Sequence, residues 1–244
     1  MRKQLANVVF NADIFPPSGP RRLAVEAHQR MFERGVRPPW VWGHDRCRSY
    51  WGSRIEDDTD VNRPSEYARK PQAIVGFLDS FWRPEVGQQS SVLELGCNAG
   101  ANLHGLRARG YENLRGAEIN PAAIEQLRST FAELDDVEVT LGSLEDMLPL
   151  LPTDSVDVVF TMAVLLHIHP SAGAIFEHMA RIARSYVCTV ESESTTLPYI
   201  FARNYRRVFE RHGLAQLRSS RLTEQAFPGL GSDYYGYTAR LLRV

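Results

Sequence analysis

VLELGCNAGAN, residues 92–102, is the stretch that decides the fold. Its first four residues predict a short buried strand, and the pattern that follows predicts a helix, so the turn between them contains Gly96 and Gly100. Glycine relieves crowding where the chain turns and where a ligand approaches the backbone, and the start of a helix offers unpaired N–H groups. The stretch therefore predicts a strand–turn–helix unit that binds a nucleotide-type ligand.

The spacing of the two glycines narrows the class of ligand. A dinucleotide site normally has the pattern G-x-G-x-x-G, whereas this turn has G-x-x-x-G with Asn98 where a middle glycine would stand. Asparagine tolerates a positive φ, so the turn is preserved. A nicotinamide-dependent oxidoreductase is therefore disfavoured, because a carboxylate or amine end fits this loop better than a pyrophosphate.

The next acidic residue at a strand end is Glu118, in the sequence RGAEINP and 18 positions after Gly100. At that distance the carboxylate is expected at the tip of the second strand, where it accepts hydrogen bonds from a ribose diol. Together the turn and Glu118 predict a site for a nucleoside-type ligand.

Short apolar runs alternate with amphipathic segments along the rest of the chain. This alternation predicts right-handed βαβ units. The expected architecture is α/β, with a Rossmann-like, mostly parallel seven-stranded sheet, helices on both faces and an antiparallel C-terminal strand. The runs interpreted as strands are residues 91–96, 113–119, 137–142, 156–162, 186–191 and 234–244.

The first 71 residues differ from the rest, because seven prolines interrupt them and aromatic residues cluster between those prolines. A helix is expected at 24–34 and a solvated acidic turn at 55–60. We interpret residues 1–71 as an N-terminal helical or irregular extension that acts as a lid, and residues 72–244 as the catalytic domain. Near the other end of the chain, a helix is expected within residues 199–213.

Composition and net charge argue against several classes of protein. The 244 residues carry a net charge of −1, so no overall charge favours nucleic acid or an anionic membrane. Three separated cysteines favour a reducing cytoplasm, and no apolar run is long enough for a membrane helix. The predicted partner is a small-molecule substrate, the protein a monomer or homodimer, and no metal site is expected.

Four motifs in order resemble the class I S-adenosylmethionine-dependent methyltransferases, over about residues 72–244. VLELGCNAG is similar to the first motif, GAEINP to the ribose-binding motif, LGSLEDMLPL to the adenine-binding loop, and DSVDVVFTMAVLLHI to the fourth motif. The combination looks most like small-molecule methylases of sugar and natural-product pathways. Asn98 departs from the family's usual glycine, and Ser143 from a common aspartate.

The resemblance implies that S-adenosylmethionine is the cofactor. It would place Glu94 and Gly96 at the methionine end, Glu118 at the ribose, and Ser143 with Leu144 at the adenine. The full set of cofactor-binding residues that we predict is Glu94, Gly96, Asn98, Gly100, Glu118, Ile119, Ser143, Leu144 and Thr161.

The acceptor is expected beyond the fourth and fifth strands. His167 is a candidate proton acceptor or a structural residue, and His169, before a proline, is expected to be structural. Glu191 and Glu193 would point the same way on an extended chain and are candidates to bind a cationic acceptor such as a guanidino or amino compound. Tyr50 and Trp51 of the lid are candidates for contact with the substrate.

The predicted reaction is methyl transfer to a nitrogen or oxygen of a small metabolite, such as a natural product, amino acid or sugar. Two alternatives stay open. One is methylation of protein or tRNA, which the arginines at 206–207 and 218–221 would serve. The other is a partner subunit that binds S-adenosylmethionine without catalysis.

Overall fold

The computed structural model describes residues 19–55 and 62–244. The acidic turn expected at 55–60 lies outside these residues except for Ile55. The longest helix in the described ranges has 14 residues, too few to cross a bilayer.

A seven-stranded sheet forms the centre of the chain, and the predicted α/β architecture is confirmed. Its strand order is β3-β2-β1-β4-β5-β9-β8, with β9 antiparallel to both neighbours and the other pairs parallel. A two-stranded ribbon, β6 and β7, lies outside this sheet. The strands are β1 (Val92–Leu95), β2 (Leu114–Glu118), β3 (Glu138–Leu141), β4 (Val156–Met162), β5 (Ala183–Glu191), β6 (Thr196–Leu197), β7 (Ile200–Phe201), β8 (Ala215–Arg221) and β9 (Thr238–Arg243).

Helices cover both faces of the sheet, as the sequence predicts. Alternate residues of β1 explain this: Val92 packs against the first group of helices and Leu93 against the second. The first group contains α4 (Ala73–Trp82), α5 (Ala101–Arg107) and α6 (Pro121–Thr130); the second contains α7 (Leu144–Met147), α8 (Ala174–Ile182) and α9 (Tyr205–Glu210).

Two expectations needed correction. β8 was not predicted, because its sequence AQLRSSR is polar and its residues are alternately exposed and half-buried at a sheet edge. The helix expected within 199–213 is shorter, since β7 occupies its start and α9 begins only at Tyr205. Asn204 sets that beginning, because its side chain accepts the backbone N–H of Arg207.

The described part of the N-terminal segment contains α1 (Pro20–Glu33), α2 (His44–Gly52) and α3 (Pro64–Ala68). It lies against residues 72–244 through polar contacts. Glu33, whose side chain is fully buried, accepts from Arg207 at 2.8 Å and from the backbone N–H of Asn204. Near the strand ends, Asn120 donates to the carbonyl oxygen of Arg54 at 2.9 Å. The segment is thus fixed over the edge where β1, β2 and β4 end.

Candidate active site

A cavity of about 700 Å³ lies at the carboxyl ends of the parallel strands. The strand order reverses between β1 and β4, and open α/β sheets bind ligands beside such a reversal. Turns after β1, β2, β3 and β4 form one wall, and α2, α3 and the segment around Tyr234 form the other. Position and lining make this cavity the candidate active site.

The turn after β1 has the backbone geometry that its glycine and asparagine predict. Gly96 has a φ of 72° and Asn98 a φ of 45°. A Cβ on Gly96 would lie 2.5 Å from a methyl carbon of Val164, so the close approach of the turn after β4 requires glycine here. Both Gly96 and Asn98 line the cavity.

Gly100 has a different role from the one predicted. It does not line the cavity; it is the residue before α5, with a φ of 79°. A Cβ there would lie 2.6 Å from Leu127 of α6. Glycine at 100 therefore permits close packing of α5 and α6, which is a structural function.

Glu118 lines the cavity at the end of β2 and is 5% exposed. One carboxylate oxygen accepts the backbone N–H of Asn98 at 2.8 Å, and the other accepts those of Ile119 and Asn120 at 2.9 Å each. Burial raises the pKa of Glu118, and the three N–H donors oppose that rise. The carboxylate thus joins the glycine turn to the end of β2 and keeps further acceptor capacity toward the cavity.

Glu94 is the second carboxyl group at this end of the cavity and is 1% exposed. Its Oε1 accepts from the Asn102 amide at 2.7 Å, whereas its Oε2 is buried without a hydrogen-bond partner among the described residues. Burial raises the pKa of Glu94 to about 8, and the charge of Glu118 adds to the rise. A cationic ligand group would satisfy this carboxyl group.

The other predicted cofactor residues separate into two sets. Ile119 and Leu144 line the cavity. Ser143 does not, because its hydroxyl caps α7 and donates to Asp146 at 2.7 Å. Thr161 is fully buried within β4, between Leu95 and Thr189 on the neighbouring strands, and also lies away from the lining. The direct role predicted for Ser143 and Thr161 is replaced by a structural one.

His167 lines the cavity just beyond β4, in the short 3₁₀ turn Leu165–His167. Its Nδ1 lies 3.3 Å from the carbonyl oxygen of Tyr199, which can only accept, so Nδ1 carries the proton. The Trp51 ring packs against the imidazole with 4.3 Å between centroids. Desolvation lowers the pKa of His167 to about 4, so the ring is neutral near pH 7.

The carboxylate pair expected to bind a cationic acceptor is engaged elsewhere. Glu191 is fully buried and accepts the backbone N–H groups of Val164, Leu165 and Leu166. Glu193 forms a two-pronged ion pair with Arg240, at 2.6 and 2.7 Å. Neither residue lines the cavity, because each carboxylate is bound by groups of the chain itself. The prediction that this pair binds substrate is therefore corrected.

Aromatic rings line the part of the cavity that contains His167. Trp51 lines it; Tyr50 does not, and instead packs on Trp51 with 5.1 Å between centroids. The loop 227–237 borders the cavity through Tyr234 and Tyr237. Lining residues that the sequence interpretation missed are His44, Arg48, Arg54, Asn62, Glu66, Arg69, Lys70, Glu145 and Tyr199.

Those missed residues lie on the short helices α2, α3 and α7 or in loops, where no apolar periodicity marked them. Arg48 pairs with Asp146 and His44 with Glu145, which joins α2 to α7. Lys70 lies 2.6 Å from Asp233. Arg48 and Lys70 in the cavity wall therefore have acidic partners close by.

The arginines considered for tRNA binding also have partners within the chain. Arg206 pairs with Glu210, Arg207 with Glu33 and Arg218 with Glu85, and Arg221 donates to the carbonyl oxygen of Gly236. These contacts give the arginines structural roles.

Residues 92–185 match the family model described as a methyltransferase domain. They include the turn after β1, the Glu118 strand end and the His167 turn. This segment is a class I methyltransferase domain. S-adenosylmethionine is the methyl donor of this class, and the resemblance seen in the sequence motifs is confirmed.

Several solved structures of similar fold are methyltransferases. Magnesium protoporphyrin IX methyltransferase from Synechocystis PCC 6803, solved with bound SAH, is 15% identical; the match covers 83% of this chain and 99% of that one, with a TM-score of 0.59. A SAM-dependent methyltransferase from Aquifex aeolicus is 18% identical, with coverages of 74% and 97% and a TM-score of 0.54. Geranyl diphosphate methyltransferase is 14% identical, with coverages of 90% and 98% and a TM-score of 0.55. A search of curated proteins finds no match.

The residues present fit S-adenosylmethionine. A buried carboxyl oxygen of Glu94 without a partner suits an ammonium group, and a second carboxylate stands at the strand end where a ribose is bound. Gly96 keeps the turn open, since a side chain at this position would fill the space that Val164 occupies.

Proposed function

We propose that this methyltransferase acts on a nitrogen or oxygen of a small metabolite, and that His167 accepts the acceptor's proton. The observation that carries the proposal is the arrangement of one cavity. Two buried carboxyl groups, Glu94 and Glu118, lie at its cofactor end, and the neutral His167 imidazole lies in its wall beyond β4.

Bound S-adenosylmethionine supplies a methyl group on a positively charged sulfur, which is already electrophilic. The chain mainly has to align the acceptor atom and remove its proton. In His167 the Nδ1 proton is directed to the Tyr199 carbonyl oxygen, so Nε2 has the free lone pair. The pKa of about 4 leaves this nitrogen unprotonated near pH 7 but also makes it a weak base. His167 therefore fits the role of proton acceptor for an acceptor atom whose proton becomes acidic as the methyl group is transferred.

For the cofactor end, we propose Glu94 for the ammonium group, Glu118 for the ribose hydroxyls, and Gly96, Asn98, Ile119 and Leu144 for the surrounding wall. Each lines the cavity. The residues that cap or pack beside them, Gly100, Ser143 and Thr161, would support this wall from behind.

The acceptor half favours a small, partly apolar compound. Trp51, Tyr199, Tyr234 and Tyr237 supply ring surfaces, and no free pair of carboxylates from β5 is available for a guanidinium. We propose that the described part of the N-terminal segment, residues 19–55 and 62–71, acts as the cover that excludes water, since α2 and α3 supply the opposite wall.

The three cysteines are free and buried, which supports a reducing, cytoplasmic location.

The direct test has two stages. Calorimetry with S-adenosylhomocysteine measures binding, with NAD as the comparison ligand; we expect binding of the first alone. Incubation with methyl-labelled S-adenosylmethionine and pooled hydroxy, amino and carboxylic metabolites, followed by mass spectrometry, then detects a product. His167→Gln should abolish that product while leaving cofactor binding unchanged. Cofactor binding with no product from any pool would favour the non-catalytic subunit.

A further inference from the structure

The turn that follows β4, residues 163–168, brings His167 to the cavity. It is a strained piece of backbone, because Ala163 has a φ of 59°, a left-handed conformation that is rare for alanine. Val164 and His167 line the cavity on this turn. A strained turn keeps its shape only when its surroundings hold it.

Glu191, the last residue of β5, satisfies the N–H side of the turn. One of its oxygens accepts from Val164 and Leu165, at 3.1 Å each, and the other accepts from Leu166 at 3.3 Å. Three consecutive backbone donors thus converge on a carboxylate that is fully buried. Hydrogen bonds to a charged acceptor are stronger than neutral ones, so this contact fixes the turn firmly.

Arg203 satisfies the carbonyl side of the same turn. Its guanidinium donates to the carbonyl oxygens of Leu165, at 3.2 Å, and Ile168, at 2.8 Å, which flank His167 in the sequence. A further donation to Phe201, at 3.1 Å, ties the turn to β7. Arg203 is completely buried, and its guanidinium lies over the Phe176 ring, 5.2 Å from the ring centroid.

We propose that Glu191 and Arg203 are positioning residues that hold the 163–168 turn from its two polar sides and thereby set the place of His167 in the cavity. Neither touches the cavity itself. This inference rests on the proposed function for its catalytic consequence. It explains why a carboxylate and a guanidinium, both costly to bury, lie together beside this turn.

The protonation of Glu191 gives the arrangement a dependence on pH. Burial raises its pKa to about 7, although the three backbone donors oppose the rise. The ionisable groups that face it are Arg203, Tyr205 and Tyr237; the arginine is charged, and both tyrosines have raised pKa values and are neutral. A protonated Glu191 has less acceptor capacity, so the turn should loosen as the pH falls below 7.

The test follows the turn by NMR without needing the methyl acceptor. Glu191→Gln keeps one oxygen but replaces the other with a donor, so it cannot accept all three N–H groups. We expect faster amide exchange at Val164, Leu165 and Leu166. At pH 8, where Glu191 is ionised in the wild type, we also expect the imidazole chemical shifts of His167, followed in histidine-labelled protein, to change as the ring gains solvent. Arg203→Lys, which keeps the charge but loses the fork, should shift both readouts in the same direction by less.

Asp157→Asn is the matched control. Asp157 is also a hydrogen-bonded acid of the sheet, bound to Ser91, but it lies at the opposite end of β4. This substitution should leave the His167 chemical shifts at pH 8 and the exchange of the turn amides unchanged even if it lowers stability. The wild type tests the inference without any variant. After correction for the intrinsic pH dependence of amide exchange, slow exchange of the three amides at pH 8 and faster exchange at pH 6 would support it.

The outcomes separate this inference from the proposed function. His167 chemical shifts at pH 8 that are the same in Glu191→Gln as in the control, or fast exchange of the three amides in the wild type at pH 8, would overturn the positioning role. Calorimetry of S-adenosylhomocysteine with wild-type protein tests the proposed function independently, because Glu191 and Arg203 do not line the cofactor cavity.

Discussion

The indole of Trp51 lies against the imidazole of His167, with 4.3 Å between ring centroids and 51° between ring planes. Trp51 comes from α2 of the N-terminal segment, and His167 comes from the turn after β4. The contact joins the cover of the cavity to its candidate proton acceptor. Because the indole removes water from the imidazole, the contact helps to keep the His167 pKa low.

His167 should make stability depend on acidic pH. Its pKa in the folded chain, about 4, is below the ordinary value of 6.5, so its contribution is fully present above pH 6.5 and is lost as the pH falls toward 4. His167→Gln should therefore reduce the loss of unfolding free energy between pH 7 and pH 4 by about 2 kcal/mol. Urea denaturation across this range measures it. Trp51→Ala, which exposes the ring, should flatten the curve in the same direction, and unchanged curves in both variants would contradict the contact's role.

Gly96→Ala should damage both stability and the site. The φ of 72° disfavours alanine, and the new Cβ would lie 2.5 Å from Val164, which must move. We expect a loss of about 1–3 kcal/mol in unfolding free energy together with weaker binding of S-adenosylhomocysteine. Gly87→Ala is the control, because a Cβ there meets nothing within 4 Å. Equal effects of the two substitutions would refute the close-approach explanation.

Glu118→Ala should weaken cofactor binding by about 1–3 kcal/mol, since it removes charge-assisted hydrogen bonds. It also removes the acceptor for three backbone N–H groups, so some loss of stability is expected. Calorimetry with S-adenosylhomocysteine measures the dissociation constant. Glu138→Ala, at an exposed position at the start of β3, serves as the control. An unchanged dissociation constant for Glu118→Ala would remove this residue from the site.

Glu94 should release a proton when the cofactor binds. Its pKa of about 8 in the structure leaves it mostly protonated at pH 7, and an approaching ammonium group favours the ionised form. Calorimetry in buffers of different ionisation enthalpy should detect release of nearly one proton at pH 7, decreasing above pH 8. Glu94→Gln should abolish the release and weaken binding. A buffer-independent binding enthalpy in the wild type would show that Glu94 does not meet the ammonium group.

Much of the cofactor end could be predicted from the sequence. The turn at 96–100 and the acid at 118 are local features, because a glycine at positive φ and a carboxylate at a strand end are determined by residues near them in the chain. Asn98 behaves as its tolerance of positive φ predicts, with a φ of 45°. Gly100 shows the limit of prediction from the sequence. Both glycines belong to the same motif, but Gly96 lines the cavity and Gly100 permits helix packing.

The acceptor side could not be predicted in the same way. Glu191 and Glu193 alternate on a strand end and were expected to face a ligand. In the structure Glu191 instead accepts backbone N–H groups of the 163–168 turn, and Glu193 pairs with Arg240. The sequence contains both partners but not the distance between them, because they lie 27 and 47 positions away.

The amino-acid sequence by itself determined the alternation of strands and helices, the glycine turn and the carboxylate at the end of β2. Each depends on periodicity or on a short spacing, and local sterics and hydrogen bonding fix both. Only the tertiary structure decided which side chains meet across the cavity: Trp51 with His167, Glu191 and Arg203 around one turn, and the N-terminal segment over the strand ends. Those contacts join residues far apart in the chain, and they form only when burial of the two apolar faces of the sheet has brought their elements together.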